Sequence, residues 1–399
     1  DVDNTLQITG GTATAGFYRI TASDIPNNRW TVDRSAGTAG QTVVGAMGGG
    51  LASPGKVAGA VVAGNIVWQR YSVTTYDISS ATANISGGRV NIAVAGIRWE
   101  GYESTRGDLS TSVPRIRSLV ASTTMFSTAS GTGIFGNFIL DAAGQATIIC
   151  MATGAGTTTH RVKAISGTSG SGSFSCGSGS VLLLCSVQGG TAPGFRMNGC
   201  TLIACAVNAC AGRAFEAAAS HNTCVFCVAD SGTINAESYG NNGASSRLWC
   251  INCDSYGHRA GSASNGFANA GVAHSAMWTN CLAEFNLGTG IGASNASHSF
   301  NCASHLNAVN FGTNSIQVNT VAPTATGSLF TDAAAHNFVP NNTAGAGAMI
   351  RGAAIPGTMP DVISSIGFLD VGALQHESVV STTNSRHVLI ALPRAFDIE

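Results

Sequence analysis

The middle of the chain repeats a short apolar pattern around a single cysteine. The segments read LLLCSVQ, LIACAVN, CVFCVAD, CINCDSY, WTNCLAE and SFNCASH, anchored on Cys185, Cys205, Cys227, Cys253, Cys281 and Cys302. Successive anchors lie 20, 22, 26, 28 and 21 residues apart, the range of one turn of a solenoid. Two positions before each anchor stand Leu183, Ile203, Val225, Ile251, Thr279 and Phe300; two positions after stand Val187, Val207, Ala229, Ser255, Ala283 and Ser304. A period of two predicts a strand with one buried side, carrying the anchor and these flanking residues inward. Stacked in parallel about 4.8 Å apart, such strands would satisfy their backbone groups along a rod. Stretches such as NLGTGIG and HLNAVNFG supply the Asn and Gly of the turns.

The same alternation sorts the other residues of each repeat. Cys224 and Cys250 stand three before an anchor, so they are expected to face away from Cys227 and Cys253. The paired CxxC motifs therefore do not predict a zinc site, and no metal or cofactor is expected. Ladder thiols with parallel Cβ vectors are poorly placed for disulfides. Leu182, Leu184, Leu202, Phe226, Val228 and Trp278 are expected on the outer side. They would form an apolar strip too large to leave wet, to be covered by a loop or another subunit.

Flanking segments read as ends of the rod. TLQITGG, GFYRITA and RWTVDRS predict short strands within an N-terminal β segment, 1–50, suited to attachment or assembly. In LASPGKVAGAVVAGN, Ser53 is a candidate N-cap, Pro54 the first helical residue and Gly64 the close of a short helix plugging the first coil. NIVWQRY reads as the strand that follows, and SGTSGSGSFSCGSGS as a loop. Residues 378–399 include HVLIALP, a strand suited to pairing between subunits.

Near the C-terminus stands LDVGALQHE, in which Asp370, Val371, Gly372, Ala373, Leu374 and Gln375 resemble the DIGA-type motif of right-handed parallel β-helix repeat proteins. Residues 332–354 resemble the element preceding it in that family's end coil. The resemblance implies an all-β, right-handed parallel β-helix with a short N-terminal capping helix over 51–377. That family includes polysaccharide-processing enzymes, bacterial surface proteins and phage structural proteins, so the resemblance does not select a function.

Composition narrows the partners. Charged residues make up 10% of the chain with a formal net charge of −1, which gives no footprint for nucleic acid. With 51 glycines, 9 prolines and 44% hydrophobic residues, an ordered strand-rich fold is expected rather than disorder. No apolar run is long enough for a membrane span. The chain starts at Asp1 without an initiator Met or signal peptide, which reads as a processed chain or a fragment.

Candidate chemistry lies after the anchors. Asp230, Asp254, Glu284, Tyr256 and His305 are expected on one outer surface. Rung spacing puts Asp254 and Glu284 about 8 Å apart and Asp230 and Glu284 about 10 Å apart, near the range of an inverting carboxylate pair. Tyr256 would offer a sugar-stacking face. Against a lyase, the anchored coils contain no lysine, and His221, His258, His274, His298 and His305 share no metal-site spacing. The balance predicts a non-enzymatic structural protein that self-assembles as a trimer or polymer, such as a phage fibre or decoration protein or an extracellular filament. Its setting would be the virion or the cell surface, with surface polysaccharide as a possible partner. The alternative is a glycoside hydrolase, a lyase or a glycan-binding adhesin.

Overall fold

The computed structural model describes residues 5–353 and 371–373, apart from 25–28, 39, 48–52, 109, 192, 231–236, 242–245, 258–264, 270–275, 293–296, 313–315, 322, 325, 333–334, 336 and 352. The chain is a parallel β-helix. From Val181 to Phe311 each coil contributes three short strands, and equivalent strands of successive coils pair in parallel.

The first face stacks Val181–Leu183, Thr201–Ile203, His221–Val225, Arg247–Ile251, Ala276–Thr279, Ser297–Phe300 and Ile316–Val318. The second stacks Ser186–Gln188, Ala206–Asn208, Val228–Asp230, Asp254–Tyr256, Leu282–Glu284 and Ala303–His305. Earlier coils continue both faces: Gly133–Asp141 and Thr157–Ile165 run through the corner as single strands. The third face includes Phe174–Cys176, within the serine-glycine tract expected to be a loop, paired with Phe195–Asn198. Small residues there do not prevent a strand whose Phe174 fills the core.

Between the first and second faces the chain turns through one residue in the left-handed region. Leu184, Ala204, Phe226, Asn252, Asn280 and Asn301 all have φ between 50° and 54°. Each immediately precedes an anchor cysteine. The repeat is therefore two strands around a corner, and the alternation restarts there. This corrects the expected inward set. The residues three before the anchors, Leu182, Leu202, Cys224, Cys250, Trp278 and Ser299, are buried in the core together with the anchors. The residues two before them face out. Both cysteines of each CxxC motif point inward, because the corner residue moves the second onto the same side as the first. Among the described residues, no group of three or more His, Cys, Asp or Glu side chains is placed to hold a metal ion. All twelve cysteines are buried thiols outside any disulfide.

Left-handed backbone costs an L-residue roughly 1–2 kcal/mol, least for Asn. The later corners use Asn and recover hydrogen bonds: Asn280 Nδ2 donates to Asn252 Oδ1 at 3.3 Å, and Asn301 Nδ2 to Asn280 Oδ1 at 3.3 Å. On the third face, Phe174, Phe195, Phe215, Tyr239 and Phe267 stack with centroids 4.8, 5.4, 4.7 and 4.5 Å apart. Such pairs add roughly 0.5–1.5 kcal/mol each beyond area burial. The Tyr239 hydroxyl sits within this core and donates to Cys227 O at 2.7 Å.

The ends are closed as well. Helix Pro54–Ala60 is capped by Ser53, whose Oγ accepts from Lys56 N, and it buries Ala58 against the core. The segment before it contains an antiparallel sheet, ordered Arg29–Val32, Gly16–Asp24, Thr5–Gly11, Val43–Met47. At the other end the chain returns along the second face. This strap carries the antiparallel pair Phe330–Asp332 and Asn337–Pro340 and the short helix Gly347–Ile350. Of the DIGA-like residues, Val371, Gly372 and Ala373 are described and buried; the motif itself is not shown, since Asp370, Leu374 and Gln375 lie outside the described residues. The tail 378–399 also lies outside them. No helix among the described residues is long and apolar enough to cross a membrane.

Candidate functional site

The second face holds the acidic residues. Its outer rows run Ala206, Val228, Asp254, Leu282, Ala303 and Asn208, Asp230, Tyr256, Glu284, His305, each in register with its neighbour. The expected grouping of Asp230, Asp254, Tyr256, Glu284 and His305 on one surface is present. The strap covers it. Asp230, Asp254, Glu284 and His305 are all buried, and Val228, Leu282 and Ala303 form a second apolar cluster with Leu329, Phe330, Phe338, Ile350 and Val371.

Glu284 and His305 hold the strap. Glu284 accepts from the Leu329 backbone N–H at 2.7 Å and from Ser328 Oγ at 2.9 Å. Burial pushes its carboxyl up to about 7, against the opposing pull of these two donors. His305 Nε2 lies 3.0 Å from Gly327 O, and Gly372 N donates to Asn280 O at 2.8 Å. Gly372 has φ +113, and a Cβ there would come within 2.5 Å of Asp254 Oδ1, so only glycine lets the strap lie this close. Tyr256 is enclosed edge-on by Phe285, Phe330 and Phe338, with centroids 5.6–5.9 Å away. Its ring packs against Phe330 and Phe338 of the strap. With the strap down, Asp254 and Glu284 are both buried.

The expected apolar strip is displaced by one residue onto the first face. Leu182, Leu202 and Trp278 lie in the core instead of outside. Leu184 and Phe226 are corner residues, and Val228 faces out but is buried beneath the strap. In their place the outer side of the first face carries the row Leu183, Ile203, Val225, Ile251, Thr279, Phe300 and Val318. Beside it runs the row Val181, Thr201, Thr223, Trp249, Met277 and His298. Trp249 is 46% exposed and Val318 41%. No described segment of the chain covers this row.

At its N-terminal end the same row turns polar, in a cluster the sequence reading missed. It continues Trp68, Glu100, Gly136 and His160 before Leu183. Glu100 is buried and meets His160 Nε2 at 2.9 Å, Arg98 Nε at 3.3 Å and Asn137 Nδ2 at 3.3 Å. The Arg98 guanidinium also lies over the Trp68 ring, 5.6 Å from its centroid. Glu100 and His160 are two rungs apart and meet only because Gly136 stands between them; a Cβ there would sit 2.3 Å from the imidazole. Gly136→Ala is therefore expected to part the pair and cost about 1–3 kcal/mol by leaving a buried carboxylate short of a partner. A thermal melt identical to wild type would show that the pair contributes nothing. The sequence signal was a lone acid in the strand Arg98–Tyr102 and a glycine inside Gly133–Asp141. On the second face of these coils, Arg117 pairs with Asp77 at 2.7 Å and Arg115 pairs with Asp141, beside Lys163.

No family model matches the chain, and no curated protein matches it. Three solved structures are similar to it, each at 12% identity. Geobacillus virus E2 ORF18 matches over 78% of this chain and 66% of its own, with a TM-score of 0.39, so the chain spans just under two thirds of that protein. Pectate lyase Pel9A matches over 80% of this chain and 90% of its own, with a TM-score of 0.47. The A-module of Azotobacter vinelandii mannuronan C-5 epimerase AlgE6 matches over 66% and 92%, with a TM-score of 0.30.

Proposed function

We propose that this chain is a non-enzymatic structural rod that associates with copies of itself, in the manner of a phage fibre or decoration protein or an extracellular filament, on a virion or cell exterior. The observation that carries this reading is the outer row of the first face. Leu183, Ile203, Val225 and Ile251 form an apolar ridge that resumes at Phe300 beyond Thr279, with Trp249 and Met277 exposed beside it. The strap covers the apolar part of the second face, and no segment among the described residues covers this ridge. Contiguous apolar surface of that kind marks an interaction site. A net charge of −1 opposes association of like chains very little.

Light scattering of the full chain is expected to give a multiple of the monomer mass, and Ile251→Asp is expected to return it to monomer with unchanged circular dichroism. A wild-type monomer at high concentration would overturn the reading.

Polysaccharide cleavage is the second reading, favoured by the Asp254 and Glu284 carboxylates on neighbouring coils. It requires the strap to lift, after which one carboxyl would protonate a leaving oxygen and the other activate water. Incubation with a panel of surface glycans tests it. New reducing ends that disappear in Glu284→Gln would replace the structural reading with the enzymatic one.

A further inference from the structure

We propose that the early coils carry a binding site for an acidic saccharide at the corner between the second and third faces, with Arg89 holding its carboxylate or sulfate group. The site is independent of association through the first face.

In these coils the third face stacks Gly88–Ile92, Thr124–Thr128 and Ile149–Thr153 in parallel. Where the chain enters these strands, an open cleft of about 360 Å³ is lined by Arg89, Ser122, Thr123, Thr124, Thr147 and Ser169. Ser122 N donates to Ala146 O and Ser169 N to Ile148 O, so the hydroxyl residues climb from coil to coil. With Arg89 on the coil before Thr124, the cleft crosses four coils. At about 4.8 Å per rung that is about 14 Å along the rod, longer than one sugar ring.

Arg89 differs from arginines elsewhere on the rod. Arg98 is paired with Glu100, Arg115 with Asp141, Arg117 with Asp77 and Arg213 with Glu216. The Arg89 Nε is buried with no hydrogen-bond partner among the described residues, and no acidic residue lines the cleft. A guanidinium donor withdrawn from water without an acceptor is costly. An oxyanion seated beside it removes that cost through a charge-assisted hydrogen bond.

Most of the remaining lining is hydroxyl. The hydroxyls of Ser122, Thr124 and Thr147 make no hydrogen bond among the described residues. Each can both donate and accept, as the ring hydroxyls of a sugar do. One guanidinium with no second cation in the lining suits a singly charged group, a carboxylate or a sulfate ester, over a phosphate dianion.

Isothermal titration calorimetry of the full chain at low salt tests the site with a hyaluronan tetrasaccharide, which carries carboxylates, and a κ-carrageenan tetrasaccharide, which carries sulfates. Neutral maltotetraose, inorganic sulfate and inorganic phosphate are the controls. At least one acidic tetrasaccharide is expected to bind, more weakly as salt rises, and about tenfold or more tighter than maltotetraose. Arg89→Ala is expected to weaken it about tenfold or more with unchanged circular dichroism. Thr124→Val leaves the charge in place and is expected to weaken the tetrasaccharide several-fold and inorganic sulfate not at all. No binding of either acidic tetrasaccharide, or binding unchanged by Arg89→Ala, would overturn the site. Maltotetraose binding as tightly as the acidic sugars would remove the role of Arg89. Inorganic sulfate or phosphate binding as tightly as the tetrasaccharide would leave an ion site and overturn the saccharide assignment.

Discussion

Trp278→Ala is expected to destabilise the rod by about 3–5 kcal/mol, read as a lowered chemical-denaturation midpoint. The Trp278 side chain is fully buried, stands in register between Cys250 and Ser299, and lies 5.4 Å from the Phe267 ring. Rungs above and below are fixed by continuous backbone pairing, so the space left by the indole has little freedom to collapse. Trp249, in the preceding coil's strand, points the other way and is 46% exposed. Its replacement by Ala is expected to leave the midpoint of the dispersed chain within about 0.5 kcal/mol of wild type. The two tryptophans thus report on opposite sides of one sheet. Equal effects at both positions would sink the assignment of the corner and everything placed by it.

Stability is also expected to fall by up to about 3 kcal/mol as pH rises from about 4.5 to about 7, through Glu284. Its carboxyl is raised from the usual 4.5 to about 7 by burial beneath the strap. A group raised on folding binds its proton more tightly in the folded state. Its contribution is fully present below the unfolded value and lost as pH passes through the folded one. The charged form must then stay buried against the Leu329 N–H and the Ser328 hydroxyl, or the strap must yield. Thermal melts of wild type at about pH 5 and about pH 8 measure the difference, and Glu284→Gln is expected to remove most of it. A wild-type profile no steeper than that of Glu284→Gln would show that Glu284 is not held in this environment.

The sequence revealed the repeat, its period and its stacking, because one buried cysteine per coil is a strong marker where charges are rare. It also placed Asp230, Tyr256, Glu284 and His305 in one row, since counting forward from the anchor meets no irregularity. Counting backward failed. A single left-handed residue lies between the first strand and the anchor, and one residue of slip exchanges the two sides of a strand. The clue was present in three of the repeats, where Asn252, Asn280 and Asn301 precede the cysteine and favour that backbone. Leu184 and Phe226 hid it in the earlier ones. The path of the strap over the second face was not legible, because its contacts with Glu284 and Asp254 join residues far apart in the chain. The Glu100–His160 pair escaped notice for the same reason: its partners are 60 positions apart and meet across a glycine.

The inward thiols give the rod a built-in gauge of its own opening. All twelve thiols are buried, and burial pushes that of Cys150 up to about 12 and that of Cys210 to about 11, so the folded rod shields its sulfurs from alkylating reagents. Each coil that frays during unfolding would release its own sulfurs to reagent. Mass spectrometry of a partly denatured sample, tagged and then digested, would record which end unwinds first and how far the unwinding travels before the whole molecule gives way.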